Sequence, residues 1–386
     1  MKYFTLILLF FVSQICSAQI YHDRIGFDLE SIADLNIGWM EMRNHTAVPQ
    51  GKQNGKRIYS AKQIGYSQQF VEWMQQSYTP KGVLGRATYF QNYIYKFSST
   101  NSMKGNAINE LKDALPLSYG ALTTIYIYLK KDEKGNFVPQ NNLSDSWAIE
   151  ANQLKSISTP VSFISNANDY YFLLTNYKLL KSGYPEYAKT NSNLFGFDEN
   201  KNIKPFLNFY SNGQYIVILT KGNAPLPFEK ITIGEFLIEA EKQFPKWQKI
   251  ENLPAETFVA AQKNLARLKE KYKSKWNDVA QLQLPAQIDL YDFVNAKKGS
   301  GDMLDKSGCS ERFPILRVKK EALELCKRDE PQWITVRWSI SLPNEKYARH
   351  FHESILNNFN FQYLYNFFFA SEKIKGQAYK PLRSPN

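Results

Sequence analysis

The fold class of this chain is decided by one stretch, Pro205-Phe-Leu-Asn-Phe-Tyr-Ser-Asn-Gly-Gln-Tyr-Ile-Val-Ile-Leu-Thr220. It opens with a proline, passes the polar centre Ser211-Asn-Gly213, and ends in the apolar run Tyr215-Ile-Val-Ile-Leu-Thr220. Asparagine followed by glycine is a strong tight-turn signal, because both residues adopt the positive φ that short hairpin turns require. The stretch therefore predicts a β-hairpin.

A second stretch of the same length, Pro160 to Thr175, has a similar design. It also opens with proline and ends in an apolar run, Tyr170-Tyr-Phe-Leu-Leu-Thr175. We expect both hairpins to lie in one antiparallel sheet. The likeness is either a true internal repeat or a coincidence, because hairpins share turn chemistry whatever their origin.

Helices with clear start signals surround the hairpins. Ser60 with Gln63, and Thr232 with Glu235, form capping-box patterns, in which two side chains satisfy free backbone N–H groups at a helix start. The helix after Thr232 is expected to end at Phe244-Pro245. The longest helix, of about thirty residues, is expected from Pro254, with an apolar face of Phe258, Ala261, Leu265, Leu268, Tyr272, Trp276 and Val279.

The first 155 residues are expected to be mostly helical. Besides the helix that follows Ser60, helices are predicted near Asn106 to Leu115, after Pro116, and around Ser144 to Leu154. The helix after Pro116 is predicted from an apolar stripe with helical spacing, formed by Tyr119, Leu122, Ile125 and Leu129.

Beyond a loop-like linker predicted at 285–310, the sequence predicts strand, helix, strand and helix. These elements are expected at Phe313–Val318, Lys319–Arg328, Trp333–Ile340 and Pro343–Asn358. Trp333 and Trp338 are an odd number of residues apart, so they should face opposite sides of a strand. The segment from Phe359 to Tyr365 alternates aromatic with mostly polar residues, which favours a strand but leaves a helix open. A tail is expected from Lys375.

Together these patterns predict an α+β fold with three structured regions. A mostly helical region spans 19–155, and an antiparallel sheet with a long amphipathic helix spans 156–284. A small α/β region that carries a disulfide spans 311–386. The chain is longer than a single hydrophobic core usually serves, which favours more than one domain.

The first eighteen residues have the three parts of a cleavable secretory signal. Lys2 supplies the positive start, Tyr3 to Val12 an apolar core, and Cys16-Ser-Ala18 the small residues before a cut. The core is about ten residues long, too short to span a bilayer, which takes roughly 20. We therefore expect a secreted or periplasmic protein without a transmembrane segment after cleavage. Lipid attachment at Cys16 is the alternative, which the larger residues just before it disfavour.

Cleavage leaves two cysteines, Cys309 and Cys326, in an oxidising compartment. An even pair there predicts a structural disulfide. The predicted local structure agrees, because a strand at 313–318 followed by a helix at 319–328 would return Cys326 close to Cys309. The alternative is a reactive or metal-binding thiol pair, which the lack of a Cys-x-x-Cys motif and of a neighbouring histidine disfavours.

The chain is basic, with a formal net charge of +12, which is typical of proteins that meet anionic partners. The expected partner is an anionic envelope polymer or a glycan, and export disfavours nucleic acid. Candidate ligand-binding residues lie four residues apart on the long helix, where like charges repel unless an anion offsets them: Lys263, Arg267, Lys271 and Lys275. The alternative is a solvated helix face, diluted by neighbouring acids and screened by salt.

Most catalytic and cofactor signatures are missing. Two of the four histidines, His350 and His352, lie on a predicted helix, where they would point apart and could not hold one metal ion. His350 and Glu353 share a helix face and are the candidate acid–base pair, with a solvated polar face as the alternative. Loops at 51–57 and 198–202 depart from phosphate-binding and calcium-binding spacing. We therefore predict no metal and no cofactor.

These patterns favour a non-catalytic exported protein that binds or supports something in the cell envelope. Its many aromatic residues, 15% of the chain, are expected to serve mainly as core, although exposed aromatic platforms also bind sugar rings. The alternative is a secreted hydrolase acting on an extracellular polymer such as a polysaccharide, with carboxylates that only the fold brings together. A purely structural or assembly role is the third hypothesis.

Overall fold

A computed structural model of the chain describes residues 26–44, 59–89, 114–166, 168–174, 197, 200–211, 213–283, 288–295, 302–305 and 312–384. It combines helices with mostly antiparallel sheets, so the predicted α+β class is confirmed. The signal at 1–18, the loop at 51–57, Cys309 and most of the helix expected at 106–115 lie outside the described residues.

The described residues form the following strands, labelled in chain order: β1 (Arg43–Asn44), β2 (Leu84–Tyr89), β3 (Tyr119–Tyr126), β4 (Leu129–Lys131), β5 (Phe137–Pro139), β6 (Ser144–Ala151), β7 (Ser158–Pro160), β8 (Tyr171–Leu174), β9 (Leu207–Ser211), β10 (Gln214–Thr220), β11 (Phe228–Lys230), β12 (Gln281–Leu282), β13 (Phe313–Pro314), β14 (Leu316–Val318) and β15 (Trp333–Ser339). The α-helices are α1 (Leu29–Ile32), α2 (Ala61–Ser77), α3 (Ile233–Glu251), α4 (Ala255–Lys271), α5 (Leu290–Asn295), α6 (Lys320–Cys326), α7 (Lys346–Asn358) and α8 (Phe361–Phe369). Short 3-10 turns lie at Lys221–Asn223, Lys273–Lys275 and Ser371–Ile374.

The large sheet has seven described strands in the order β1-β2-β3-β6-β15-β10-β9. Its neighbours pair antiparallel, except that β1 runs parallel to β2. The sheet takes strands from each of the three structured regions that the sequence suggests, which therefore share one sheet. The small sheet has the order β11-β14-β8-β7 in the described residues.

Both predicted hairpins contain an antiparallel strand pair, but only the second has both of its strands inside the predicted stretch, because β7 ends at Pro160, where the first stretch opens. In the second, β9 pairs with β10, and Gly213 in its turn has φ 75°, a conformation that favours glycine. In the first, β7 pairs with β8. The expectation that both lie in one sheet is wrong, because β7 and β8 belong to the small sheet and β9 and β10 to the large one.

Two segments expected to be helices are strands instead. The stripe from Tyr119 to Leu129 lies in β3 and β4, and the segment expected as a helix from Ser144 lies in β6. Burial in β3 alternates from residue to residue: Tyr119 and Ile125 are fully buried, whereas Leu122 on the opposite face is half-buried. Residues six apart share a face in a strand, and neighbouring β-branched residues favour the strand as well. The described part of the first 155 residues therefore contains more strand than helix, so the expectation of a mostly helical region is wrong.

The helical middle region differs from its prediction in length. Both capping boxes are confirmed, at Ser60 and at Thr232. However, α3 continues through Pro245 to Glu251, because the buried Trp247 extends its buried face beyond the proline. The helix expected to run for thirty residues ends at Lys271 and gives way to a 3-10 turn. Helices α3, α4 and α5 pack on one another, and α5 lies within the segment expected to be a linker.

The C-terminal order of strand, helix, strand and helix is confirmed, with the first strand divided into β13 and β14. Trp333 and Trp338 face opposite sides of β15, as expected, and both are fully buried. Trp338 packs in a core with α2, α7 and α8, and Trp333 packs in a core with the small sheet and α6. Both faces of the large sheet at β15 are therefore covered.

The last part of the chain contains two departures from the sequence-based expectation. The segment expected as a strand after Phe359 forms helix α8, whose cap is the Asn360 side chain, accepting from the Tyr363 N–H at 2.9 Å. The residues expected to be a tail pack onto the protein. Tyr379 is buried, and its ring stacks on Trp73 at 5.3 Å between centroids. Because α8 and this segment are both docked, they build one wall of a cleft.

Candidate functional site

A cleft of about 670 Å³ lies where α2, α8 and the segment after α8 meet. We call it the aromatic cleft. Five separate parts of the chain line it: the first turns of α2, the 3-10 turn after β10, the loop before β15, the second half of α8, and the residues that follow. Its lining residues are Lys62, Tyr66, Lys221, Asp329, Glu330, Pro331, Tyr363, Phe367, Phe368, Phe369, Ser371, Glu372, Ile374, Gly376 and Gln377.

Half-buried aromatic rings form the apolar wall of the cleft. The ring of Tyr66 meets Phe367 and Phe368 edge-to-face, with centroids 5.6 and 5.0 Å apart. Phe367 also contacts the buried Trp73 at 5.1 Å, and Phe368 contacts Phe70 at 5.8 Å. Edge-to-face packing is a favoured aromatic geometry, so these rings are held in place by the core behind them. Part of the surface of Tyr66, Phe367 and Phe368 lines the cleft.

Two tyrosine hydroxyls join α8 to the segments around it. The Tyr363 hydroxyl donates to the Gln377 carbonyl oxygen at 2.9 Å, and the Tyr365 hydroxyl accepts from the Gly222 N–H at 3.0 Å. The first bond holds the segment after α8, and the second holds the turn that carries Lys221. The cleft is therefore bounded by hydrogen-bonded backbone on both sides of α8.

The remaining wall is formed by the loop before β15, which is tied to the start of α2. The Ser60 hydroxyl donates a short hydrogen bond to the Asp329 carboxylate, and the Gln63 side-chain amide donates to the Arg328 carbonyl oxygen at 3.1 Å. These are the two residues of the capping box that starts α2. One local motif thus both begins the helix and places Asp329 beside the cleft.

Lys62 lies at the rim, one turn before Tyr66 on α2. Its ammonium is 5.7 Å from the centroid of the Tyr66 ring, a cation–π distance. A hydrogen bond with the Tyr66 side chain is the main cause that raises the pKa of Lys62, and the charges of Asp329 and Glu330 act in the same direction. The rim therefore stabilises a positive charge.

The predicted acid–base pair does not lie at this cleft. His350 is half-buried, and its Nε2 lies 3.0 Å from the Thr79 carbonyl oxygen. Burial lowers the pKa of His350. Glu353 is exposed on the same helix, α7. His352 is fully buried, and its Nδ1 accepts from the Trp338 indole N–H at 2.9 Å, which gives it a structural place in the core.

The predicted basic stripe is only partly present as a continuous helix face. Lys263, Arg267 and Lys271 lie on α4, whereas Lys275 lies in the 3-10 turn after it. The Lys271 ammonium contacts the Asp302 carboxylate at 2.7 Å and Asp305 at 3.6 Å. One member of the stripe is therefore already neutralised by the protein, and none of the four lines the aromatic cleft.

Cys326 is fully buried on α6 and has no disulfide partner among the described residues, and burial raises the pKa of its thiol to about 12. The disulfide with Cys309 stays a prediction, because Cys309 lies outside the described residues. No group of histidine, cysteine and acidic residues in the described part of the chain has the arrangement of a metal site. In the same part, no helix is long and apolar enough to cross a bilayer.

The large sheet also contains a buried ion pair that was not predicted from the sequence. Arg337 on β15 donates twice to the Glu150 carboxylate on β6, from Nε and from a terminal nitrogen, both at 3.1 Å. The side chain of Glu150 is 1% exposed and that of Arg337 13% exposed. Because the two side chains face each other in bidentate geometry, this pair fixes adjacent strands rather than a ligand.

No residue of the aromatic cleft was a predicted site residue. The one available signal was the run Phe367-Phe-Phe369. Three consecutive aromatic residues on a helix cannot all face a core, because successive side chains point about 100° apart. The run therefore indicates exposed aromatic surface once the segment is known to be helical.

No protein-family model matches the chain, and comparisons with curated proteins and with solved structures give no match either. The functional conclusion therefore rests on the chemistry of the cleft.

Proposed function

We propose that this chain is a non-catalytic binding protein of the cell envelope, and that it binds a glycan in the aromatic cleft. The observation that carries the proposal is a set of fixed, half-buried rings beside polar and charged groups. Sugars have apolar ring faces that pack on aromatic side chains and hydroxyls that require hydrogen-bond partners. Ligand sites in general combine aromatic lining with a small number of placed polar groups.

The groups in the cleft match both requirements. Phe367 and Phe368 offer apolar ring surface, and Glu330, Glu372 and Gln377 offer hydrogen-bond partners on the other sides. A volume of about 670 Å³ is within the range of small-ligand sites and accommodates a short oligosaccharide. The secretory signal predicted at 1–18 would deliver such a protein to the compartment where envelope polysaccharides are found.

Calorimetric titration of the full chain with soluble oligosaccharides tests this proposal. We expect binding that Phe367→Leu weakens about tenfold, because leucine keeps apolar volume but removes the flat ring. Tyr291→Leu is the matched control, since Tyr291 is an aromatic residue 47% exposed on α5 and does not line the cleft. Failure of every oligosaccharide to bind, or equal weakening by both variants, would overturn the proposal.

A secreted hydrolase acting on a polysaccharide is the second candidate, because Asp329, Glu330 and Glu372 line the same cleft. Binding is favoured over hydrolysis, since Asp329 is engaged by the Ser60 hydroxyl, and Glu330 and Glu372 are exposed. The general acid of a glycosidase is instead typically held in an apolar pocket. Release of reducing ends from a bound oligosaccharide, lost in Glu330→Gln, would establish the hydrolase.

A further inference from the structure

The charge of the aromatic cleft is opposite to the charge of the whole chain. The lining contains three carboxylates (Asp329, Glu330 and Glu372) and two ammonium groups (Lys62 and Lys221), a balance of one negative charge. The chain as a whole carries +12. The expectation of an anionic partner rests on the overall charge, and it does not extend to this cleft. The charged groups that line the cleft are the ones nearest to a bound small ligand, where screening by salt is weakest.

The surroundings of the Lys62 ammonium stabilise a positive charge at the rim of the cleft. It lies 5.7 Å from the Tyr66 ring centroid, and Asp329 and Glu330 lie close enough to favour its charged form. Aromatic faces beside carboxylates are a general arrangement for binding organic cations. Lys62 is exposed at the rim, so a ligand's ammonium can take the place of its own. The same surroundings would then stabilise the ligand's positive charge.

We infer that the ligand of the aromatic cleft is an amine-bearing glycan, an oligosaccharide of amino sugars whose amines are free and positively charged. The inference rests on the proposed function and specifies its ligand. Such a sugar has an apolar ring face for Phe367 and Phe368 and an ammonium for Glu330 and Glu372. A neutral sugar can pack on the aromatic rings but has no charge for the glutamates to bind. An anionic sugar is repelled by the glutamates.

Three oligosaccharides of equal length test the inference against the full chain: one of glucosamine, one of N-acetylglucosamine and one of galacturonate. The titrations are made at mildly acidic pH, where sugar amines are protonated and glutamates stay ionised. We expect the glucosamine oligomer to bind at least about tenfold more tightly than the N-acetylated one, and added salt to reduce the difference. The galacturonate oligomer is expected to bind most weakly.

The double variant Glu330→Gln with Glu372→Gln removes the charge but keeps size and hydrogen bonding. We expect it to abolish the preference for the glucosamine oligomer and to leave binding of the N-acetylated oligomer intact. Both positions are exposed, so the fold tolerates the change. Glu353→Gln, an exposed glutamate on α7 outside the cleft, is the matched control and should keep the preference.

The outcomes separate the two proposals. Equal binding of the glucosamine and N-acetylglucosamine oligomers overturns the amine inference and leaves glycan binding standing. Tightest binding of galacturonate also overturns it. Failure of all three oligomers to bind overturns the amine inference, whereas glycan binding is overturned only when every soluble oligosaccharide fails to bind. Loss of the preference in Glu353→Gln as well would show that it does not come from the cleft.

Discussion

His352 is a core histidine whose environment opposes protonation. Its ring is fully buried, accepts a hydrogen bond from Trp338, and lies 4.5 Å from the Tyr215 ring. Burial lowers its pKa from 6.5 to about 3. The Trp338 indole N–H requires the neutral imidazole nitrogen as its acceptor. We therefore expect His352 to affect how the stability of the fold depends on pH, rather than to take part in catalysis.

The lowered pKa predicts an acid-dependent loss of stability. Between pH 6.5 and about 3, the unfolded chain protonates at this position and the folded chain does not, so stability falls as the pH falls. We expect His352→Gln to make unfolding less pH-dependent than in the unsubstituted chain, by up to about 1.4 kcal/mol per pH unit. Urea unfolding at a series of pH values across this window measures the difference. Parallel pH profiles for the two proteins would contradict the prediction.

The capping box at the start of α2 has two roles that can be separated. It begins the helix, since the Ser60 hydroxyl accepts from the Gln63 N–H at 3.1 Å. It also holds Asp329, to which the same hydroxyl donates. The box at the start of α3, formed by Thr232 and Glu235, also begins a helix. It has no second role at the cleft, because neither residue lines the cleft.

We expect Ser60→Ala to lower the free energy of unfolding by about 1 kcal/mol, the usual cost of a lost helix cap. It should also weaken oligosaccharide binding severalfold, because Asp329 is no longer held beside the cleft. Thr232→Ala should lower stability by a similar amount and leave binding unchanged. Denaturant unfolding and calorimetric titration of the two variants make the comparison. Unchanged binding in Ser60→Ala would show that the cap does not position the cleft.

Elements with local start signals could be predicted, whereas elements defined by their neighbours could not. Both capping boxes and the turn at Gly213 depend on residues close in sequence, and all three were found. Tyr119, Leu122 and Ile125 have helical spacing, but pairing of β3 with its neighbours makes this segment a strand. Alternating aromatics in α8 suggested a strand, but its side chains are divided between a core and a cleft.

The cleft could not be predicted from local sequence patterns, because its walls come from residues near 62, 221, 329, 367 and 376. The last of these segments was expected to be a tail. Instead, the Tyr379 hydroxyl lies 2.6 Å from the Ser77 hydroxyl and accepts from the Asn360 N–H at 3.1 Å. Contacts between residues about 300 positions apart, such as this one with Ser77, leave no periodic signal in the sequence.

The segment after α8 is docked through Tyr379, which predicts that this residue is needed for stability. We expect Tyr379→Ala to lower the free energy of unfolding by about 3 kcal/mol, because it removes a buried ring that stacks on Trp73 and leaves polar partners unsatisfied. Leu382→Ala, three residues on and 49% exposed, should change it by less than about 0.5 kcal/mol. Denaturant unfolding distinguishes them. Equal effects would mean that the segment is not docked through Tyr379.

The central place of β15 in the large sheet has a consequence for the timing of folding. β6 ends at Ala151, and its neighbour β15 begins only at Trp333. At a synthesis rate of roughly 5–20 residues per second, β6 waits on the order of ten to forty seconds for that partner. During this interval the strand that joins β6 to β10 is missing, so the large sheet is completed only late in synthesis.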